Sequence, residues 1–195
     1  MSAKMIEVRW HGRGGQGAKT AALLFAEALL ATGKYIQAFP EYGPERMGAP
    51  VQSFNRISEE PITIHSGITN PQYVVILDPS LMDCVDVTDG IGKEGKVIVN
   101  SSFSAAEIAK LLMVDPSQVY VVDASKIAQE TIGRNIPNTP MLGALVKVIG
   151  NLDINGVLED TKAKLTVKFR HKPEVIEGNR SEEHTSELQS PSWIS

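Results

Sequence analysis

Ile6 to Trp10 alternates apolar and polar side chains and is rich in β-formers, which predicts a strand. Gly12 to Gly17 is a glycine-rich turn. From Ala18 to Thr32 the period changes: Ala22, Phe25, Ala26, Leu29 and Leu30 fall at helical spacing, and Gly33 is placed to stop the helix. Tyr35 to Phe39 predicts a second strand, closed by Pro40. The opening therefore predicts a βαβ unit. Val74 to Leu77, Lys96 to Val99 and Val119 to Val122 are short apolar runs, the form of parallel strands buried on both faces. Helices are predicted at Ser104 to Leu112, Ala124 to Ile132, Thr139 to Gly150 and Gly156 to Phe169. Pro140 is tolerated in a first helical turn.

Val51 to Ile57 has high β propensity, and Ile62 to His65 predicts a short strand after Pro61. Together these two segments predict a hairpin appended to the parallel core. The fold class expected is thus α/β: one domain, a mostly parallel sheet with a Rossmann-like βαβ opening, and an added β-hairpin.

Composition narrows the function. The chain has 195 residues, long enough for one α/β domain with a sizeable core, and 42% hydrophobic content fits a globular protein. No apolar run approaches the roughly 20 residues of a membrane span, and Glu7, Arg9 and His11 interrupt any signal-like region. A cytoplasmic location and no membrane partner are expected. Net charge is −4, with Glu182, Glu183 and Glu187 clustered near the end. No Lys/Arg-rich stripe exists, so nucleic acid is not expected as a partner. Cys84 is the sole cysteine, and one thiolate holds neither an iron–sulfur cluster nor a zinc site of about four ligands. Redox chemistry would then belong to a bound cofactor or a companion.

Gly12-Arg13-Gly14-Gly15-Gln16-Gly17 fits G-x-G-x-x-G between a strand and a helix. Glycines permit a tight turn and close approach of a phosphate, and N–H groups at the helix start favour an anion. Arg13 can add a charge-assisted contact. The competing reading is that the glycines serve only close packing of helix on sheet. A nicotinamide dinucleotide site also needs an acid about 20 residues on. Glu41 follows Pro40 inside another motif and Glu27 lies on the helix, so that fingerprint is incomplete. The turn lacks the Gly-Lys-Ser/Thr spacing of a P-loop.

Phe39 to Pro50 is a stiff loop dense in prolines, acids and aromatics, suited to docking or gripping a ligand. Arg46 within it can pair with a phosphate, with a substrate carboxylate, or with Glu41 or Glu45. Asp78, at a strand end, is either at a ligand position or a cap for the Pro79-Ser80 turn. His11 is expected to satisfy a buried carbonyl, His65 to sit on a hairpin surface, and Cys84 to be a small buried hydrophobe. No catalytic residue is expected in this chain, because no Ser/His/Asp set, Cys/His set or carboxylate pair emerges.

Four separated motifs resemble the gamma subunit of pyruvate and related 2-oxoacid:ferredoxin oxidoreductases. They are Ile6 to Gly17, Gln37 to Val51, Val75 to Leu81 and Asn138 to Ala144, and the resemblance spans residues 4–179. It implies a complex that oxidatively decarboxylates a 2-oxoacid to acyl-CoA and passes electrons to ferredoxin. It further implies thiamine diphosphate, Mg and [4Fe-4S] clusters in alpha, beta and delta partner subunits, none ligated by this chain. The gamma domain would cover the active site and help hold coenzyme A, with Gly12, Arg13, Gly14, Gly15, Gln16, Gly17 and Arg46 as candidate contacts. The resemblance is nearest to the pyruvate branch. Branched-chain and indolepyruvate relatives, a scaffold subunit that binds no small molecule, and a free-standing NAD-dependent oxidoreductase are the alternatives. Arg180 to Ser190 resembles a translated sequencing-library adapter, so residues 180–195 are expected to be a non-native tail.

Overall fold

A computed structural model of the chain describes residues 5–41, 48–150 and 152. Strand β1 (Ile6–Arg13) leads through the glycine turn into helix α1 (Ala18–Leu29), which tightens into a 3-10 turn over Leu30–Thr32. Gly33 ends it in the left-handed region, at φ 74°. Strands β2 (Tyr35–Pro40), β3 (Pro50–Ser58), β4 (Tyr73–Ile76) and β5 (Lys96–Asn100) follow. Helix α2 (Ala105–Leu112) leads to β6 (Val119–Val122), and the described chain closes with α3 (Ala124–Ile132) and α4 (Asn138–Ile149). The boundaries follow capping chemistry. Ser104 and Glu107 form a reciprocal capping box at the start of α2, and Asp123 caps α3 through the Lys126 N–H.

The strands form one sheet in the order β2-β3-β1-β4-β5-β6. β1, β4, β5 and β6 pair in parallel, while β3 is antiparallel to both β1 and β2. The expected α/β class holds, with a single sheet and an antiparallel hairpin at the edge of its parallel core. The hairpin's composition differs from the reading of the sequence. β3 pairs with β2 rather than with Ile62 to His65, and residues 61–65 form no strand. β1 and β2 run parallel, but β3 lies between them, so the opening βαβ unit is split. β1 pairs with β3 over residues 50–57 and β2 over residues 53–58, so every β3 residue has a partner strand, which a four-residue partner after Pro61 cannot match.

Alternation along the strands builds two cores. Val8, Trp10, Ile57, Val75, Leu77 and Ile98 face α1, α3 and α4, while Val74, Ile76, Val97, Val99 and Val121 face α2. Trp10 packs edge-on to Phe25 at 6.4 Å, and its Nε1 donates to Asn55 Oδ1 at 2.7 Å. Asn55 Nδ2 donates in turn to Ala22 O at 2.8 Å, so β1, β3 and α1 share one buried polar link. No helix among the described residues is long and apolar enough to cross a membrane. The helix expected over 156–169 and the tail lie outside the described residues.

Candidate functional site

All the parallel strands end on one edge of the sheet. That edge carries the glycine turn after β1, Asp78 to Ser80 after β4, Asn100 after β5 and Asp123 after β6. β3 begins at the same edge, because Arg13 and Pro50 are register partners. Connections beyond the carboxyl ends of parallel strands are where α/β folds place their ligands.

The turn is tight for identifiable reasons. Gly12 and Arg13 are the last two residues of β1. A Cβ on Gly12 would lie 3.1 Å from Ala18 Cβ, so this glycine lets helix meet strand closely. Gly17 is the N-cap of α1 at φ 85°, and a Cβ there would come within 2.9 Å of Asn138 Nδ2 at the start of α4. Gly15 sits at φ 100°, and a Cβ on it would meet nothing within 4 Å among the described residues. The two readings of the motif therefore divide by residue: packing accounts for Gly12 and Gly17, while Gly15 leaves its backbone open to approach.

A polar network holds the turn. Gln16 Oε1 accepts the Arg13 backbone N–H at 2.7 Å, and Gln16 Nε2 donates to Asp78 Oδ2 at 2.6 Å. Arg13 Nε lies 3.3 Å from the same Asp78 oxygen, and its guanidinium donates to Ser80 Oγ at 2.9 and 3.1 Å and to Gly48 O at 3.1 Å. Asp78 Oδ1 accepts both the N–H and the hydroxyl of Ser80. Partial burial pushes the Asp78 carboxyl up. The Ser80 hydroxyl, the Gln16 amide, the Ser80 N–H and Arg13 together outweigh burial and hold it below the usual carboxylate range. Backbone bonds from Gly14 N to Ala49 O and from Gly48 N to Gly14 O tie the turn to the end of the 39–50 loop.

A family profile described as pyruvate ferredoxin/flavodoxin oxidoreductase matches residues 7–181. The chain belongs to that family. It is 52% identical over 158 residues to the pyruvate/ketoisovalerate oxidoreductases common subunit gamma of Pyrococcus furiosus, covering 81% of this chain and 85% of that one. It is 43% identical over 180 residues to pyruvate synthase subunit PorC of Thermotoga maritima, covering 92% of each. The crystal structure of pyruvate oxidoreductase subunit PORC from Thermotoga maritima superposes with a TM-score of 0.80 at 38% identity, over 98% of both chains. A 2-oxoglutarate:ferredoxin oxidoreductase from Magnetococcus marinus, solved with 2-oxoglutarate, coenzyme A and succinyl-CoA bound, gives a TM-score of 0.72 over 94% of this chain and 30% of that one. At 20% identity that likeness shows the fold alone.

Within this oxidoreductase family member, the structure gathers Gly12, Arg13, Gly14, Gly15, Gln16 and Gly17 in one place. Arg46 lies outside the described residues. Of the two readings the sequence left open, the structure shows the cap: Asp78 caps the Pro79–Asp83 3-10 turn, and its other oxygen accepts from Gln16 of the glycine turn. Ser80, Gly48, Ala49 and Asn138 were not legible as site residues. They lie far from the motif in sequence, and only sheet order brings them to it.

Three weaker candidates resolve differently. His11 is buried, and its Nε2 accepts from Arg9 Nε at 3.1 Å rather than serving a carbonyl. Burial, and then the Arg9 charge, push its imidazole down to about 3. With its lone pair already engaged, His11 has no free base to offer. Cys84 is exposed, not buried, with its Sγ 4.0 Å from an Arg13 guanidinium nitrogen. His65 is exposed, on coil rather than on a hairpin. Among the described residues, no group of three or more His, Cys, Asp or Glu side chains converges to hold a metal.

Proposed function

We propose that this chain is the gamma-type subunit of a pyruvate:ferredoxin oxidoreductase complex. The complex converts pyruvate and coenzyme A to acetyl-CoA and CO2 and reduces ferredoxin. The observation that carries the reading is the agreement, over most of both chains, with gamma and PorC subunits of pyruvate oxidoreductases. In this reading thiamine diphosphate, Mg and [4Fe-4S] clusters sit in the alpha, beta and delta companions. The relatives named for both pyruvate and ketoisovalerate support a second substrate, a branched-chain 2-oxoacid, for the same subunit. In this reading the domain is cytoplasmic and spans residues 4–179, and the tail from 180 onward is foreign, on its resemblance to a translated sequencing-library adapter.

The chain's own contribution is positioning. The thiol of coenzyme A has to meet an intermediate held by other subunits, and holding it nearby replaces a bimolecular encounter. Gly15 leaves room for an anion beside Arg13, whose side chain is 29% exposed, and the helix start favours negative charge. Gly12 to Gly17 and Arg46 then contact a coenzyme A phosphate.

Reconstitution tests the assignment. Companion subunits alone should give little coenzyme A-dependent ferredoxin reduction with pyruvate, and adding this chain should restore it. In the reconstituted complex, Arg13→Ala and Arg46→Ala should raise the apparent KM for coenzyme A and change that for pyruvate little. An unchanged coenzyme A KM in both variants rejects the coenzyme role. Turnover by this chain alone with a nicotinamide cofactor would overturn the whole reading.

A further inference from the structure

The glycine turn owes its shape to a residue more than sixty positions away. Arg13 N–H is directed at Gln16 Oε1, and that oxygen is aimed because the other end of the same amide donates to Asp78 Oδ2. The amide oxygen serves the Arg13 N–H, so its Nε2 has only donors to offer and needs an acceptor opposite it. Asp78 supplies it, and the same oxygen steers Arg13 Nε, which lies 3.3 Å away. The other carboxylate oxygen is occupied by the N–H and hydroxyl of Ser80, whose Oγ is itself an acceptor for Arg13. Both oxygens are therefore acceptors in use, and both lead to the turn.

We infer that Asp78 is the positioning residue of the glycine turn: through Gln16 it sets the backbone from Arg13 to Gly17, and through Ser80 it aims the Arg13 guanidinium. As a consequence for the ligand, which rests on the coenzyme A reading above, Asp78 decides how well an anion is held without touching it. It acts as an acceptor rather than merely as a charge, and this separates the proposal from simple charge balance.

The chemistry allows a rescue. In Asp78→Asn, either orientation of the new amide sets a donor against donors: Gln16 and Arg13 in one case, the Ser80 N–H in the other. Adding Gln16→Glu restores the acceptor–donor match between positions 16 and 78, while Arg13 keeps its bonds to Ser80 Oγ and gains a carboxylate at position 16 in place of the one lost at 78. The introduced carboxylate can accept from the Arg13 N–H and from the asparagine amide, whose own oxygen still serves Ser80. Net charge is unchanged from the parent.

The test uses the reconstituted complex and two readouts. Hydrogen–deuterium exchange over the 12–17 peptide should accelerate several-fold in Asp78→Asn and return close to the parent in the Gln16→Glu/Asp78→Asn double variant. The apparent KM for coenzyme A should rise several-fold relative to that for pyruvate in the single variant and recover in the double. Unchanged exchange in the single variant, or a double variant no better than the single, overturns the inference. If exchange responds but the coenzyme A KM moves only in Arg13→Ala, Asp78 does not position the turn for the ligand and the inference falls. If exchange responds and neither variant moves that KM, the coenzyme A reading falls while the hold of Asp78 on the turn stands.

Discussion

The two faces of β1 are held down by different physics. On one face Val8 and Trp10 are fully buried under α1. On the other face the alternate residues Arg9 and His11 are also buried. Among the described residues it is coil that meets Arg9 there, which donates to Val87 O at 3.1 Å and Asp89 O at 2.6 Å. The neighbouring β3 repeats the device. Arg56 is 2% exposed, donates to Ser66 O and Gly67 O, pairs with Glu7 at 2.8 Å and lies 5.4 Å over the Phe39 ring. Apart from the Trp10–Asn55–Ala22 link, the helix-covered face rests on non-directional burial, which tolerates exchange among side chains of similar volume. The coil-covered face rests on buried cations that satisfy backbone carbonyls, and these demand specific donors. A segment without secondary structure can cover a sheet only if its carbonyls find such partners.

The largest effects should be of similar size on the two faces but differ in what rescues them. Trp10→Ala should cost about 4 kcal/mol by urea denaturation, and Trp10→Phe should recover much of it. Arg56→Ala should cost about 3 kcal/mol, since two carbonyls and Glu7 lose a charged donor. Arg56→Met, of similar length, should recover little; if it matched the parent, the claim that carbonyl pairing holds this face would be wrong.

An acid titration comes next in size. His11 is held down to about 3, below its usual value near 6.5 in the unfolded chain. The unfolded state therefore takes up a proton first. The stability is fully present above pH 6.5 and is lost as pH falls from there toward 3, at a limiting slope of about 1.4 kcal/mol per pH unit. In His11→Gln, which keeps an acceptor for Arg9, thermal denaturation between about pH 6.5 and about pH 4.5 should show a flatter loss. Equal slopes in both proteins would remove His11 from the account.

The smallest effect concerns the helix-covered face. Ser53 Oγ is buried there without a hydrogen-bond partner. Ser53→Ala should be neutral or stabilising by up to about 1 kcal/mol, because no bond is lost and a desolvated hydroxyl is removed. A clear loss of stability would show that Ser53 adds a second polar contact to the Trp10–Asn55–Ala22 link on this face.

Much of this architecture was legible along the chain. The helix at Ala124–Ile132 and the strand at Val119–Val122 fall where periodicity placed them, and Gly33 and Gly150 end their helices in the left-handed region. Local signals suffice for such features, because caps, turns and apolar period act within a few residues. The glycine turn was legible for the same reason. Ile62 to His65 misled because a short β-rich stretch after a proline carries strand propensity whether or not a partner edge is free. Arg9 read as an ordinary polar position of an alternating strand and His11 as the partner of a buried carbonyl, since nothing near them announces the coil carbonyls that take up Arg9.

The sequence by itself determined where most of the described strands and helices form, that a glycine turn opens α1, and the family to which the chain belongs. Only the tertiary structure decided that β3 separates β1 from β2, that two arginines carry one face of the β1–β3 part of the sheet, and that Asp78 and Gly48 complete the turn. The reason is range. Hydrogen bonds within elements and side-chain periods are local properties, whereas strand order and the partner of a buried charge depend on which distant backbone edges and carbonyls need satisfying.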